Sequence, residues 1–299
     1  MKFKKSISRL VILIAIFSLA ASIYGAFSNQ GNGPYDFKTI HDTPVTIYGR
    51  GLYQKDSVSV ASQAVAQDIV TLFLGVPLLI VSLFLYRKEL LKGKLLLAGT
   101  LAYFLYTYTS YSFLSMFNQF FLLDVMLMSA SFFAFVLTMM SFDIDTLRDH
   151  FSEKLPVRFV GGLLISIGTI FGLMWLGTVI PSIVSGIAPV VLEQYTSLVI
   201  QAMDLAFIVP TAFLAGILLI KRKPFGYLLS SVVTVKGITM LTALTAMVLN
   251  EMSAGVEVSP AILILIPALN LIIIYSLFLI MKNIKEDNFL RKQAVQAEL

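Results

Sequence analysis

FGYLLSSVVTVKGITMLTALTAMVL, residues 225–249, carries one charged side chain, Lys236, inside a run long enough to cross a hydrocarbon core. A helix of about 20 mainly apolar residues spans roughly 30 Å of lipid. At ~1.5 Å per residue, Lys236 lies roughly 16 Å from the inner end of this run and about 20 Å from the outer end, too deep for snorkelling to reach water. A cation there costs about 2.5–3.5 kcal/mol on insertion scales, so it is expected to face a bundle interior, find an anion or lose its proton.

The rest of the chain repeats the pattern. Residues 10–27, 69–86, 95–115, 120–141, 159–180, 197–220 and 261–281 are comparable apolar runs, which predicts an all-α polytopic transmembrane helix bundle of about eight spans. Composition agrees: 58% of the 299 residues are hydrophobic and 13% charged, with a mean hydropathy of +0.87, more apolar surface than a water-soluble core of this length could hide. The formal charge of +5 does not point to nucleic acid, because the basic residues cluster between apolar runs, where they orient helices. The chain has no cysteine, which excludes disulfides, thiolate nucleophiles and Cys-type metal sites. His41 and His150 fall on opposite sides of the expected membrane, so no paired-histidine metal or haem site is expected and no cofactor is implied.

Orientation follows from the cations. With the N-terminus in the cytoplasm, Lys2, Lys4, Lys5, Arg9, Arg87, Lys88, Lys92, Lys94, Arg148, Lys154, Arg158, Lys221, Arg222, Lys223, Lys282, Lys285, Arg291 and Lys292 all lie inside. Only Lys38, Arg50 and Lys55 lie outside. Both termini are therefore expected to be cytoplasmic, in a cell membrane. The expected parts are a first span or signal anchor over 1–27, an extracytoplasmic segment over 28–68, a seven-helix bundle over 69–281 and a basic tail over 282–299. The start VILIAIFSLAASIYGAF also fits a cleaved signal peptide, but its apolar run exceeds the ~7–15 residues of a usual signal core, which favours an uncleaved anchor.

Within 28–68, SNQGNGPYD reads as turns and PVTIYGRGLY has strand character. Asp56 and Ser57 are both plausible N-caps for a helical VSVASQAVAQD that extends the second span outward. PSIVSGIAPVVLEQYTS, 181–197, is too short to cross and return as helix, and an interfacial or shallow re-entrant segment is expected.

Asp204 in the sixth run is the expected partner of Lys236, being closer in depth than Asp124; the tight turn KRKP at 221–224 makes the two helices antiparallel neighbours. Ser197, Gln201 and Thr211 fall within about 60° of Asp204 by helical counting. Tyr103, Tyr106, Thr107, Ser110 and Tyr111 share an arc of roughly 140° on the third run. Pro77, Pro210 and Pro267 each remove a backbone hydrogen bond, orphaning the carbonyls of Phe73, Ala206 and Leu263. No GxSxG elbow, HExxH or phosphate-binding glycine loop is present, so no catalytic residue is assigned.

GLYQKDS at 51–57, AQDIV at 66–70 and GKLLLAGTLAYFLYTYTSYSF at 93–113 resemble a group of uncharacterised multi-pass bacterial membrane proteins, over most of the chain after residue 50. The resemblance implies an integral membrane architecture and transfers no activity, cofactor or site residue.

The expected function is binding or transport of a small polar solute or ion in an outward-facing polar cavity. Lys236 and Asp204 would be its buried charge pair, Gln201, Tyr103, Tyr106 and Tyr111 its hydrogen-bonding groups, and Asp124 would stand at its mouth. Two other readings fit the same residues. A structural or regulatory subunit of a membrane complex would use the charges to fix helix register. A membrane-embedded enzyme acting on lipid or quinone would use the carboxylates and tyrosines as acids and bases.

Overall fold

The computed structural model describes residues 3–286. The expected positions Lys2, Arg291 and Lys292, and most of the 282–299 tail, lie outside them. Eight long helices make up most of the described chain: α1 (Lys4–Phe27), α2 (Val58–Arg87), α3 (Leu91–Phe113), α4 (Phe121–Met140), α5 (Val157–Ser185), α6 (Val199–Ile220), α7 (Pro224–Ser253) and α8 (Pro260–Lys282). All but α3 are long and apolar enough to cross a membrane. α3 is the polar exception because Lys92, Lys94 and the run of Tyr, Thr and Ser after Tyr103 lower its hydropathy. Its position accounts for that composition. It packs between α2, α4 and α7, and residues along most of its length are buried, so neighbouring helices satisfy groups that lipid would not.

Several expected boundaries shift. α2 begins at Val58, so the outer segment ends at Ser57, which accepts the Val60 N–H at 3.1 Å as the N-cap. α5 runs through Pro181 to Ser185, where a re-entrant segment was expected, and ends on Gly186 at φ 69°. The peptide after it is a loop with one short 3₁₀ turn, Val190–Leu192, before α6 begins at Val199. In the outer segment, β1 (Tyr35–Lys38) pairs antiparallel with β2 (Pro44–Ile47), Tyr35 opposite Ile47 and Lys38 opposite Pro44. Only the second strand was anticipated.

α2 and α6 both contain a π-turn, Thr71–Gly75 in one and Asp204–Ile208 in the other. In each, the N–H after the turn bonds five residues back, Val76 to Thr71 and Val209 to Asp204, and a proline follows, Pro77 and Pro210. A proline cannot donate and its ring crowds the carbonyl four residues back; a wider turn absorbs both defects.

These positions stand 133 residues apart, and so do many others. Both helices end in a left-handed residue, Glu89 (φ 64°) and Arg222 (φ 52°). Both endings close with the same pair of backbone bonds: Glu89 N–H to Tyr86 at 2.9 Å and Leu90 N–H to Leu85 at 3.3 Å, Arg222 N–H to Leu219 at 2.8 Å and Lys223 N–H to Leu218 at 2.9 Å. That is a Schellman ending used twice. The next helix then crosses at a glycine whose added Cβ would lie 2.4 Å from the Leu85 carbonyl carbon at Gly93 and 2.3 Å from that of Leu218 at Gly226. The α2–α3 and α6–α7 hairpins are therefore one structural unit occurring twice. Extending the match outward pairs α1 with α5 and α4 with α8. Each unit has four helices, so the two start on the same side of the bundle, and α3 packs on its counterpart α7.

Apolar packing follows the same division. Ile7, Val11, Leu79, Leu83, Leu101, Phe104 and Leu127 form the core of the first unit. Leu241, Leu269 and Ile273 pack with Leu163, Ile167 and Phe171 in the second. Leu91, Leu95, Phe151, Leu219, Tyr227 and Ile280 join the two at the inner end.

Candidate functional site

Asp204, on the first residue of its π-turn, accepts the Tyr106 hydroxyl on Oδ1 at 2.7 Å and the Trp175 indole N–H on Oδ2 at 2.8 Å. Three helices, α6, α3 and α5, thus meet on one buried carboxylate. Lys236, on α7, lays its Nζ over the Tyr106 ring, 4.0 Å from the centroid. Both charged residues are more than nine-tenths buried, at 7% exposure for Asp204 and 8% for Lys236. They do not touch: among the described residues no carboxylate lies within 4.0 Å of the ammonium. The expected direct ion pair is replaced by a relay in which Tyr106 offers its π face to the cation and its O–H to the anion, both favourable with one ring. Asp204 acts on Lys236 across that ring.

Gln201, one turn before Asp204, is buried beside this cluster. Thr211 leaves the face that helical counting gave it, because the π-turn inserts one residue and rotates everything after it by about 100°. Trp175, the chain's one tryptophan, was not anticipated. Its indole is a donor only, and when buried it needs an acceptor.

Tyr103 belongs to a neighbouring group. Gln67 Nε2 donates to the Tyr103 hydroxyl at 2.7 Å and to Thr107 Oγ1 at 2.9 Å, and Thr71 Oγ1 lies 2.8 Å from the same tyrosine oxygen. Gln67 is 4% exposed and its Oε1 has no protein partner. By the 133-residue offset, Thr71 and Tyr103 correspond to Asp204 and Lys236. The first unit thus holds a neutral hydrogen-bonded pair at the position where the second holds opposite charges.

Gln67 also ends a polar row along α2. Ser59, Gln63, Gln67 and Thr71 recur every four residues and share a face. Ser59 Oγ and Gln63 Nε2 both donate to Glu251 Oε1 of α7, at 2.6 and 2.9 Å. Ser59 and Glu193 line an outer vestibule of about 510 Å³, walled by the β-hairpin, the 187–193 loop and the 254–256 turn. Gln63, Gln67, Tyr106, Thr107, Ser110 and Tyr111 line an inner cavity of about 80 Å³. Tyr106 belongs both to this cavity and to the relay beyond it. The four-residue repeat in the helical stretch 58–68 was the available signal for this row, unused because that stretch lies before the expected second span at 69–86.

The vestibule rim is fastened by carboxylates. Asp56 Oδ1 accepts the Tyr195 hydroxyl and the Met116 N–H, both at 2.9 Å, and the Ser57 hydroxyl donates to Glu193 through a very short bond. Burial pushes Asp56 up to about 6, the Glu193 charge adding to the effect while its two donors oppose it. Burial likewise raises Glu193.

The remaining expected residues sit elsewhere. The Tyr111 hydroxyl lies 3.1 Å from Asp68 Oδ1, and Asp124, buried in the first turn of α4, acts electrostatically on the same carboxylate. Asp124 is therefore not at the mouth of the Lys236 site. Asp68 itself was overlooked because it fell at the expected edge of the second span.

Compared with protein-family models, with characterised proteins and with solved structures, the chain shows no significant match. The resemblance carried by residues 51–57, 66–70 and 93–113 thus rests on those residues alone, and the chemistry of the relay and the α2 row has to carry any functional conclusion.

Proposed function

We propose that the chain crosses a bacterial cytoplasmic membrane eight times with both ends inside, and that it binds a small polar solute or ion entering from the outer side between α2, α3 and α7. The observation that carries this reading is the polar row Ser59–Gln63–Gln67, which runs from the vestibule to the lining of the inner cavity and ends on a buried Gln67 Oε1 that has no donor. A buried acceptor without a donor costs about 1–3 kcal/mol, so a solute N–H or O–H, or a water that a solute displaces, belongs there. At about 80 Å³ the cavity holds several waters, each needing about 10–15 Å³, or a solute of similar bulk. Lys236, reached through the Tyr106 ring, supplies the positive field that would discriminate among solutes by charge. The eighth crossing is α3, whose polar face the bundle shields, and the cation distribution supports the orientation.

The chain has no cysteine, so single-cysteine labelling can be done on the otherwise native sequence. An impermeant thiol reagent applied from the outer side should modify cysteines placed at Ser59, Gln63 and Gln67 with falling rates, and one at Lys154 only after permeabilisation. Protection of the Gln67 position by members of a small-solute library, lost in Lys236→Met, would identify the ligand class. A Gln67 cysteine that reacts only from the inner face would defeat the outward-facing reading.

A further inference from the structure

Asp68 occupies a second buried polar site, about 100° around α2 from its neighbour Gln67. The Tyr53 hydroxyl, from the outer loop, donates to Oδ2 at 2.6 Å, and the Tyr111 hydroxyl, from α3, lies 3.1 Å from Oδ1. Gly25 of α1 closes the site from the third side; a Cβ there would fall 1.9 Å from Oδ2. The Ser22 hydroxyl, fully buried and without a hydrogen-bond partner, is directed at the same carboxylate. The Asp124 carboxylate of α4 is near enough to act on it electrostatically. Asp68 is 2% exposed.

Among the described residues, no cation faces this group. α1 contributes Ser22 and Gly25, the loop Tyr53, α3 its tyrosines and α4 a second carboxylate. On α7, Lys236 is turned to Tyr106 and Glu251 to Ser59 and Gln63. Two ionised carboxylates without a counter-charge in a membrane interior pay desolvation and mutual repulsion together.

The proton count points the same way. The Tyr111 oxygen lies 3.1 Å from Asp68 Oδ1 and also 3.1 Å from the Ala64 carbonyl oxygen, yet it owns one proton. With Asp68 ionised, that proton must be divided between two acceptors. With Asp68 protonated, the acid O–H donates to the Tyr111 oxygen, Tyr111 donates to Ala64, and Tyr53 donates to the remaining carboxyl oxygen. Each of these three donors then has its own acceptor, and the Ser22 hydroxyl lies beside the same carboxyl group. Burial and the adjacent Asp68 push the Tyr53 hydroxyl well above its ordinary value, so it remains a donor throughout.

We propose that Asp68, with Asp124 as its electrostatic neighbour, is a proton-binding site within the membrane, occupied at neutral pH and adjoining the solute cavity, with which it shares Tyr111. The tyrosines set its geometry, and the absent Cβ at Gly25 gives it room.

Infrared spectroscopy of the full-length protein in lipid at neutral pH tests this directly. A protonated aspartic acid shows a carbonyl stretch above the amide I band. The expected result is such a band in the wild type, lost in Asp68→Asn and shifted to higher frequency in Tyr111→Phe, where the acceptor for the acid proton is gone. Raising pH should convert the band to carboxylate absorption. Tyr111→Phe keeps the carboxyl intact and gives a readout even if Asp68→Asn does not fold. Absence of the band in the wild type, or its persistence unchanged in both variants, overturns the proposal. A band missing in sodium buffer that appears when choline replaces sodium also overturns it, in favour of a metal-cation site.

Discussion

If Tyr106 mediates between Lys236 and Asp204, the two charges should be energetically coupled although they do not touch. Two unit charges interact by about 4 kcal/mol at 4 Å and an effective dielectric of 20. A ring intervenes here, so a separation near 8 Å, and hence about 2 kcal/mol, is the working figure. Asp204→Asn removes the counter-charge and presents an amide to two donors, and should cost about 3 kcal/mol, at the low end for breaking a buried pair. Lys236→Met should cost less, because Asp204 keeps both donors and Met retains most of the packing volume. The double variant should then be about 2 kcal/mol more stable than the two single losses added together. Tyr106→Phe, which keeps the ring and deletes the O–H, should cost about 1.5–3 kcal/mol for a hydrogen bond to a charged acceptor. Equilibrium unfolding in mixed micelles, followed by circular dichroism, measures all four. Trp175, the chain's one tryptophan, sits against Asp204 and adds a local fluorescence signal. Strict additivity of the two single changes would refute the relay.

Three further perturbations follow from the geometry. Gly93→Ala and Gly226→Ala each drive a Cβ to within 2.4 Å of helix backbone, so both should destabilise by about 1–3 kcal/mol or more and by similar amounts; a neutral result at one would break the equivalence of the two hairpins. Ser57→Ala removes the cap of α2 and the bond to Glu193, and should cost about 1–2 kcal/mol in thermal unfolding. Asp56 is raised from its ordinary 3.8 to about 6, so the folded state binds the proton more tightly than the unfolded one. The rim should therefore be most stable at acid pH and weaken as pH rises from near 4 through 6, by up to about 3 kcal/mol, and be flat above that. Hydrogen exchange of the Met116 amide, corrected for its intrinsic rate, should show this dependence in the wild type and lose it in Asp56→Asn.

The helical bundle was legible because apolar runs long enough to cross lipid leave few alternatives, and because Lys236 so deep in one of them requires an internal environment. What helical counting missed came from departures from regular helix. A π-turn changes the phase of everything beyond it, so Thr211 was placed on the wrong face. The tyrosines of α3 share an arc in projection but reach three different partners, Gln67, Asp204 and Asp68, because the helix is surrounded. Asp68 and the Ser59–Gln67 row were missed for one reason: the helical stretch 58–68 was expected outside the membrane, where polar side chains meet water and need no protein partner.

The duplicated hairpin was invisible for a different reason, and the reason bears on function. What recurs between the units is backbone: a π-turn before a proline, a left-handed helix end, a glycine at the crossing. Side chains at equivalent positions are free to differ, and they differ most in charge. Glu89 ties the first hairpin to Lys4 at 2.7 Å, while its counterpart Arg222 ties the second to Glu153 at 2.7 Å, the same kind of strut with the signs exchanged. Such exposed pairs contribute little to stability, so their sign can change freely. In the interior the exchange is not free. Replacing a Thr–Tyr pair with Asp and Lys at matching depth adds a desolvation cost that the fold does not require, since the first unit is built without it. The second unit therefore bears a cost that the scaffold alone does not explain. That asymmetry, more than the presence of a buried lysine, is what supports the proposal that the Asp204–Tyr106–Lys236 relay serves function.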